Sequence, residues 1–88
     1  LYQNFPNPFN PATNIKYQIN KPANIKLTVY NLKGEVIRNL ISKNEKAGFN
    51  VISWNGEDNH GAKVSSGTYI YTIKTSEFFD SKKMILLK

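Results

Sequence analysis

The sequence predicts an antiparallel β-sandwich. Apolar residues recur with a period of two in short runs, and turn signals separate those runs at fairly regular spacing. No stretch keeps a helical apolar period beyond one turn, and β-branched residues dominate. Six or seven short strands of this kind stack as two sheets around one core. With 88 residues the chain suits a single domain. A hydrophobic content of 40% lets it fold despite a mean hydropathy of −0.47.

Taken in order, Leu1 to Ala12 form an extended leader. Pro6, Pro8 and Pro11 remove amide donors and push their predecessors toward extended geometry. Tyr2, Phe5 and Phe9 are expected to lie against the domain and tie this leader down. Ile15, Tyr17 and Ile19 alternate with Lys16, Gln18 and Asn20, the pattern of a half-buried strand. After Pro22, Ile25, Leu27 and Val29 repeat it. Asn31-Leu32-Lys33-Gly34 is a turn, with Gly34 where a positive φ is needed. Glu35 to Leu40 returns as a third strand, and Ile41 to Gly48 reads as a polar connection. Phe49 to Trp54 is the fourth strand, with Trp54 expected at the centre of the core. Asn55 to Gly67 has no periodicity. Thr68 to Thr75 follows as the strongest strand, with Tyr69, Tyr71 and Ile73 on one side. Ser76 to Asp80 turns, and Ser81 to Leu87 closes the sheet.

Composition excludes several classes. There is no cysteine, hence no disulfide framework and no thiolate metal site. No apolar run reaches the roughly 18 residues of a membrane helix, so the chain is not expected to be transmembrane. The first residues lack the charged and apolar regions of a signal peptide, and the chain reads as a C-terminal piece of a longer protein. A formal net charge of +6 raises the question of nucleic acid. The lysines are scattered, however, with only Lys82-Lys83 adjacent, and no reading helix accompanies them. No nucleic-acid partner is expected; the basic surface suits solvent or anionic partners.

Catalytic chemistry finds little footing. His60, the only histidine, shares one Gly-rich loop with Asp58, Ser65 and Ser66, and nothing there resembles a nucleophile elbow or an oxyanion hole. The carboxylates Glu35, Glu45, Glu57, Asp58, Glu77 and Asp80 all sit in or beside turns, unsuited to a rigid pair across a cleft. Glu57, Asp58 and Asn59 offer clustered oxygen atoms for calcium but lack the spacing of a calcium loop. No motif asks for a cofactor. The aromatics Tyr2, Tyr17, Tyr30, Trp54, Tyr69 and Tyr71 would suit either a sugar-stacking platform or the core, and strand positions favour the core. Phe78-Phe79 at a turn are expected to be exposed and to touch a partner.

The order of the motifs carries more than any one of them. Tyr2-Gln3-Asn4-Phe5-Pro6-Asn7-Pro8-Phe9-Asn10-Pro11-Ala12-Thr13 precedes Ile15-Lys16-Tyr17-Gln18-Ile19. Val29-Tyr30-Asn31-Leu32-Lys33-Gly34-Glu35-Val36 and Trp54-Asn55-Gly56-Glu57-Asp58-Asn59-His60-Gly61 follow. Ser66-Gly67-Thr68-Tyr69-Ile70-Tyr71 and Lys82-Lys83-Met84-Ile85-Leu86-Leu87-Lys88 close the chain. Over nearly its whole length this resembles the type A C-terminal sorting domain of the type IX secretion system. That group is related to the immunoglobulin-like domain of flagellar hook-capping proteins.

The resemblance implies an immunoglobulin-like sandwich of about seven strands over residues 14–88, with residues 1–13 as a leader packed on it. It implies a covalently linked N-terminal cargo, export through the periplasm to the cell surface or extracellular space, and no enzymatic activity. The implied partners are an outer-membrane translocon and a surface sortase, which can join the cargo to anionic lipopolysaccharide. Gly67 and Tyr69 are the matching positions that would take a recognition role. From the residues themselves, Phe78 and Phe79 and the terminal strand Lys82, Lys83, Met84, Ile85, Leu86, Leu87 and Lys88 are further candidates. That strand either offers main-chain groups for strand addition or merely guards an edge with lysines. Two rival functions remain open: a carbohydrate-binding module, and a structural Ig-like accessory or assembly domain.

Overall fold

The computed structural model describes residues 1–87, and every regular element among them is a strand. These are β1 (Thr13–Ile19), β2 (Ala23–Tyr30), β3 (Val36–Glu45), β4 (Gly48–Trp54), β5 (Gly67–Lys74) and β6 (Phe79–Leu86). All pairings between these strands are antiparallel. One sheet is β1-β4; the other runs β3-β2-β5-β6.

Alternation explains which side chains meet. Ile15, Tyr17 and Ile19 of β1 face Ile25, Leu27 and Val29 of β2 and Tyr69, Tyr71 and Ile73 of β5 across the sandwich. Met84 and Leu86 of β6 complete the inward row, and Phe9 and Trp54 close one end. Trp54 is buried as expected, its ring 5.7 Å from Phe9 and 5.4 Å from Tyr69. Burial of an apolar side chain of this size is worth about 1.5–3 kcal/mol, so these residues supply most of the driving force for folding.

The β2–β3 turn forms as anticipated. Asn31 Oδ1 accepts from the amides of Lys33 and Glu35, and Gly34 adopts φ +84°. The third strand differs from expectation. It extends to Glu45, so Ile41–Glu45 is strand rather than polar connection, and only Lys46 and Ala47 separate it from β4. The register with β2 shifts twice, between Leu27 and Thr28 and between Val29 and Tyr30. Each shift inserts an extra residue on β3 and breaks its alternation. Because β3 is an edge strand, it also tolerates Ser42, Lys43 and Asn44, which disguised it as a loop.

Six named strands therefore stand where about seven were expected, and the leader supplies the additional pairing. The Tyr2 amide donates to Lys16 O, Phe5 exchanges two main-chain hydrogen bonds with Asn14, and Phe9 forms a parallel bridge to Leu86. The leader thus crosses from the edge of one sheet to the edge of the other. Of its three aromatics only Phe9 is buried. Phe5 is 78% exposed, because its partner Asn14 faces outward and cross-strand partners point to the same side.

Candidate recognition surface

The C-terminal strand and the leader form a single structure. Along the β6 edge away from β5, the Phe9 amide donates to Ile85 O and the Leu87 amide donates to Phe9 O. The Ile85 amide donates to Asn7 Oδ1, and Gln3 Nε2 donates to Lys83 O. The main-chain groups that would serve strand addition at residues 83–87 are therefore occupied from within the chain. Toward the start of β6, Asp80 Oδ1 accepts from the Ser81 amide, and Lys82 and Asp80 lie in register with the inward-facing Tyr71 and Ile73. Charges aimed inward at an edge strand oppose the addition of another strand.

A buried polar hub holds the leader in place. The Tyr71 hydroxyl donates to Tyr2 O at 2.7 Å and accepts from the Asn4 amide at 2.7 Å. Asn4 Nδ2 donates to Thr13 Oγ1 and to Pro6 O, and Thr13 Oγ1 donates to Pro6 O. Asn4 and Thr13 are buried, and among the described residues no buried side-chain polar atom lacks a partner. Burial pushes the Tyr71 phenol up to about 12, against the pull of the Asn4 amide and with a smaller push from Asp80. Sequence reasoning missed this hub. Asn4 looked like one more polar residue in an Asn-rich leader, and no local pattern ties it to Tyr71.

The predicted site residues separate into two groups. Tyr69, Met84 and Leu86 are buried; the Tyr69 hydroxyl donates to Ser65 O at 2.6 Å. They belong to the core: at strand positions facing the other sheet, their side chains are enclosed. Gly67 is exposed at φ +150°, and a Cβ there would meet nothing within 4 Å. Phe78, Phe79, Lys83, Ile85 and Leu87 are exposed, and Lys82 is half-buried. Lys88 lies outside the described residues. Phe78 and Phe79 follow a turn in which Thr75 Oγ1 accepts from the amides of Glu77 and Phe78.

The other constellations resolve into local structure. Asp58 Oδ1 accepts from the amides of His60 and Ala62, which hold its carboxyl below the usual range. Asn59 donates its amide to Ile37 O and accepts from the Asn39 amide, so the loop covers the start of the β3 edge. Arg38 Nη1 donates to Asp58 O, and Trp54 Nε1 donates to Glu57 O. Of the residues considered for a triad or a calcium loop, Asp58 thus caps a turn and Asn59 ties the loop to β3. Of the aromatics considered for sugar stacking, Tyr17, Trp54, Tyr69 and Tyr71 are core. Tyr2 is exposed beside Phe49, with ring centroids 6.1 Å apart and Lys16 Nζ 4.7 Å from the Phe49 ring.

Comparison with known proteins adds the following. Residues 9–77 match the model of the FlgD Ig-like domain family. Dimeric latent PorU from Porphyromonas gingivalis superposes with a TM-score of 0.73 at 18% identity, over 97% of this chain and 9% of that one. FlgD from P. aeruginosa gives 0.66 at 24%, over 84% and 58%. PorZ, described as an essential bacterial surface component of the type-IX secretion system of P. gingivalis, gives 0.66 at 14%, over 98% and 11%. The chain spans less than two thirds of each of these proteins, and at such identities the likeness concerns the fold. No curated protein matches in sequence.

Proposed function

The chain belongs to the FlgD Ig-like domain family, and from that premise we propose that it is a non-catalytic sorting module. It directs a covalently linked cargo across the outer membrane to the cell surface, where a translocon and a sortase read it. The observation that carries this reading is the joining of the Asn-Pro-Phe-Asn-Pro leader to the terminal strand. Phe9 is bridged to Leu86, so the two motifs that most specifically resemble sorting domains form one hydrogen-bonded unit. The likeness to a type IX surface component supports the same reading.

Geometry suits the role. The amino group of Leu1 lies 3.7 Å from Asp80 Oδ2, at the start of β6, whereas Leu87 lies beside Phe9 at its far end. At about 3.3 Å per residue these points stand about 20 Å apart. Cargo joined ahead of Leu1 would leave Ile85 and Leu87 free to be read.

The test is a folded reporter fused ahead of residues 1–88 in a host with type IX export. Surface delivery is expected, and retention of the folded fusion in the periplasm would sink the proposal. Deleting Lys82–Lys88 is a poor version of this test, because it removes Met84 and Leu86 from the core.

A further inference from the structure

The outward face of the four-stranded sheet is built from three rows. Lys26, Lys74 and Phe79 form one row across β2, β5 and β6; Thr28, Thr72 and Ser81 form the next; Tyr30, Ile70 and Lys83 form the third. Lys26 and Lys74 are directly opposed on adjacent strands, which places their Cβ atoms about 5 Å apart. Like charges in that position repel. Among the described residues neither lysine, nor Lys83, has a carboxylate partner. No Asp or Glu stands in any of the three rows: Asp80 pairs with the inward-facing Ile73, and Glu77 is engaged with Lys21 at 2.8 Å in the turn beyond. Phe79, 63% exposed, is the direct neighbour of Lys74, and Ile85, also exposed, lies one step beyond Lys83 on the same side.

We propose that this face is a membrane-contact surface, binding the phosphate headgroups of an anionic lipid bilayer through Lys26, Lys74 and Lys83. Charge complementarity selects the occupant. The face carries only positive charge, its closest pair is repulsive until an anion lies between the two ammonium groups, and Thr28 and Thr72 between the rows are buried beneath their neighbours, which leaves the lysines to make the contact. A sheet face presenting separated lysines with Phe79 and Ile85 at its margin matches the chemistry of a headgroup layer, where electrostatic attraction and a small apolar insertion add. The proposal does not rest on the sorting function, since it concerns binding by the chain alone.

The test is flotation of the purified 88-residue chain with vesicles of phosphatidylcholine, pure or mixed equally with phosphatidylglycerol, at about 0.15 M salt. Binding to the anionic vesicles only, weakening as salt rises, is expected. The triple variant K26Q/K74Q/K83Q should lose about a hundredfold in affinity, at about tenfold per 1.4 kcal/mol and about 1 kcal/mol per lysine. A control triple variant in the turns and loops, K33Q/K46Q/K63Q, removes the same charge and should bind as the unaltered chain. Lys74→Glu replaces the repulsive pair with an attractive one. It should raise Tm while weakening binding by about thirtyfold on the same scale, which separates loss of the surface from loss of the fold. The proposal is overturned by absence of binding to anionic vesicles, by equal loss in the control variant, or by release with millimolar inorganic phosphate at constant ionic strength, which would indicate a small-anion site.

Discussion

The Asn4 amide donates to the Tyr71 hydroxyl at 2.7 Å, across 67 residues of sequence, and the same hydroxyl donates to Tyr2 O. One phenol oxygen therefore holds a proline-rich leader that has no strand pairing of its own between Phe5 and Phe9. Tyr71→Phe keeps the ring in the core and removes both bonds. It leaves a buried amide without its acceptor, so a loss of about 1–3 kcal/mol is expected in chemical denaturation. Hydrogen exchange at the Asn4 amide should accelerate beyond what the global loss accounts for. An unchanged exchange rate would show that the leader is held elsewhere.

Phe9 and Phe5 make a matched pair of tests. Phe9 is 2% exposed and in contact with Trp54, so Phe9→Ala should cost about 3–5 kcal/mol through lost burial and the resulting cavity. Phe5→Ala, at an exposed position, should change stability by no more than about 0.5 kcal/mol. Equal costs for the two would contradict the docking of the leader described above.

Gly34 tests the β2–β3 turn. At φ +84° a Cβ costs about 1–2 kcal/mol, although nothing lies within 4 Å to clash with it. Gly34→Ala should therefore destabilise through backbone conformation alone. Gly34→Asn should recover part of the loss, because asparagine tolerates this region better.

Alkaline pH tests Tyr17. Burial, reinforced by the nearby Glu45 carboxylate, pushes its phenol up to about 12. The folded chain then keeps a proton that the unfolded chain releases near its ordinary value of 10.0. The contribution is complete below pH about 10 and is lost as pH rises through about 12. Tyr17→Phe should flatten the fall in stability over that window by about 2–3 kcal/mol, read from denaturation midpoints at successive pH values.

The exposed end of the C-terminal strand tests the sorting reading. Ile85→Ser and Leu87→Ser leave the core untouched and should alter stability by about 0.5 kcal/mol or less. Surface delivery of a fused reporter should nevertheless fall. Undiminished delivery would exclude these two side chains from recognition.

The sandwich, its inward rows and the central place of Trp54 were legible because burial on one face imposes alternation on the strand itself. The turn at Gly34 was legible for a similarly local reason, as asparagine and glycine chemistry acts within four residues. The extension of β3 to Glu45 was hidden by two bulges, which reset the alternation, and by an edge position that admits polar residues. The candidate site was only partly readable. Phe78 and Phe79 are exposed as anticipated, while only the structure separates exposed Ile85 and Leu87 from Tyr69, Met84 and Leu86, whose side of the strand the two sheets enclose.

By itself the sequence determined the fold class, the apolar rows and the local turns, since each is encoded by neighbours in the chain. Only the tertiary structure decided that the leader closes the β6 edge, that Asn4 meets Tyr71, and that Lys26 opposes Lys74. Those relationships depend on strand order and register, which are set by how two whole sheets pack rather than by any residue's own surroundings in the sequence.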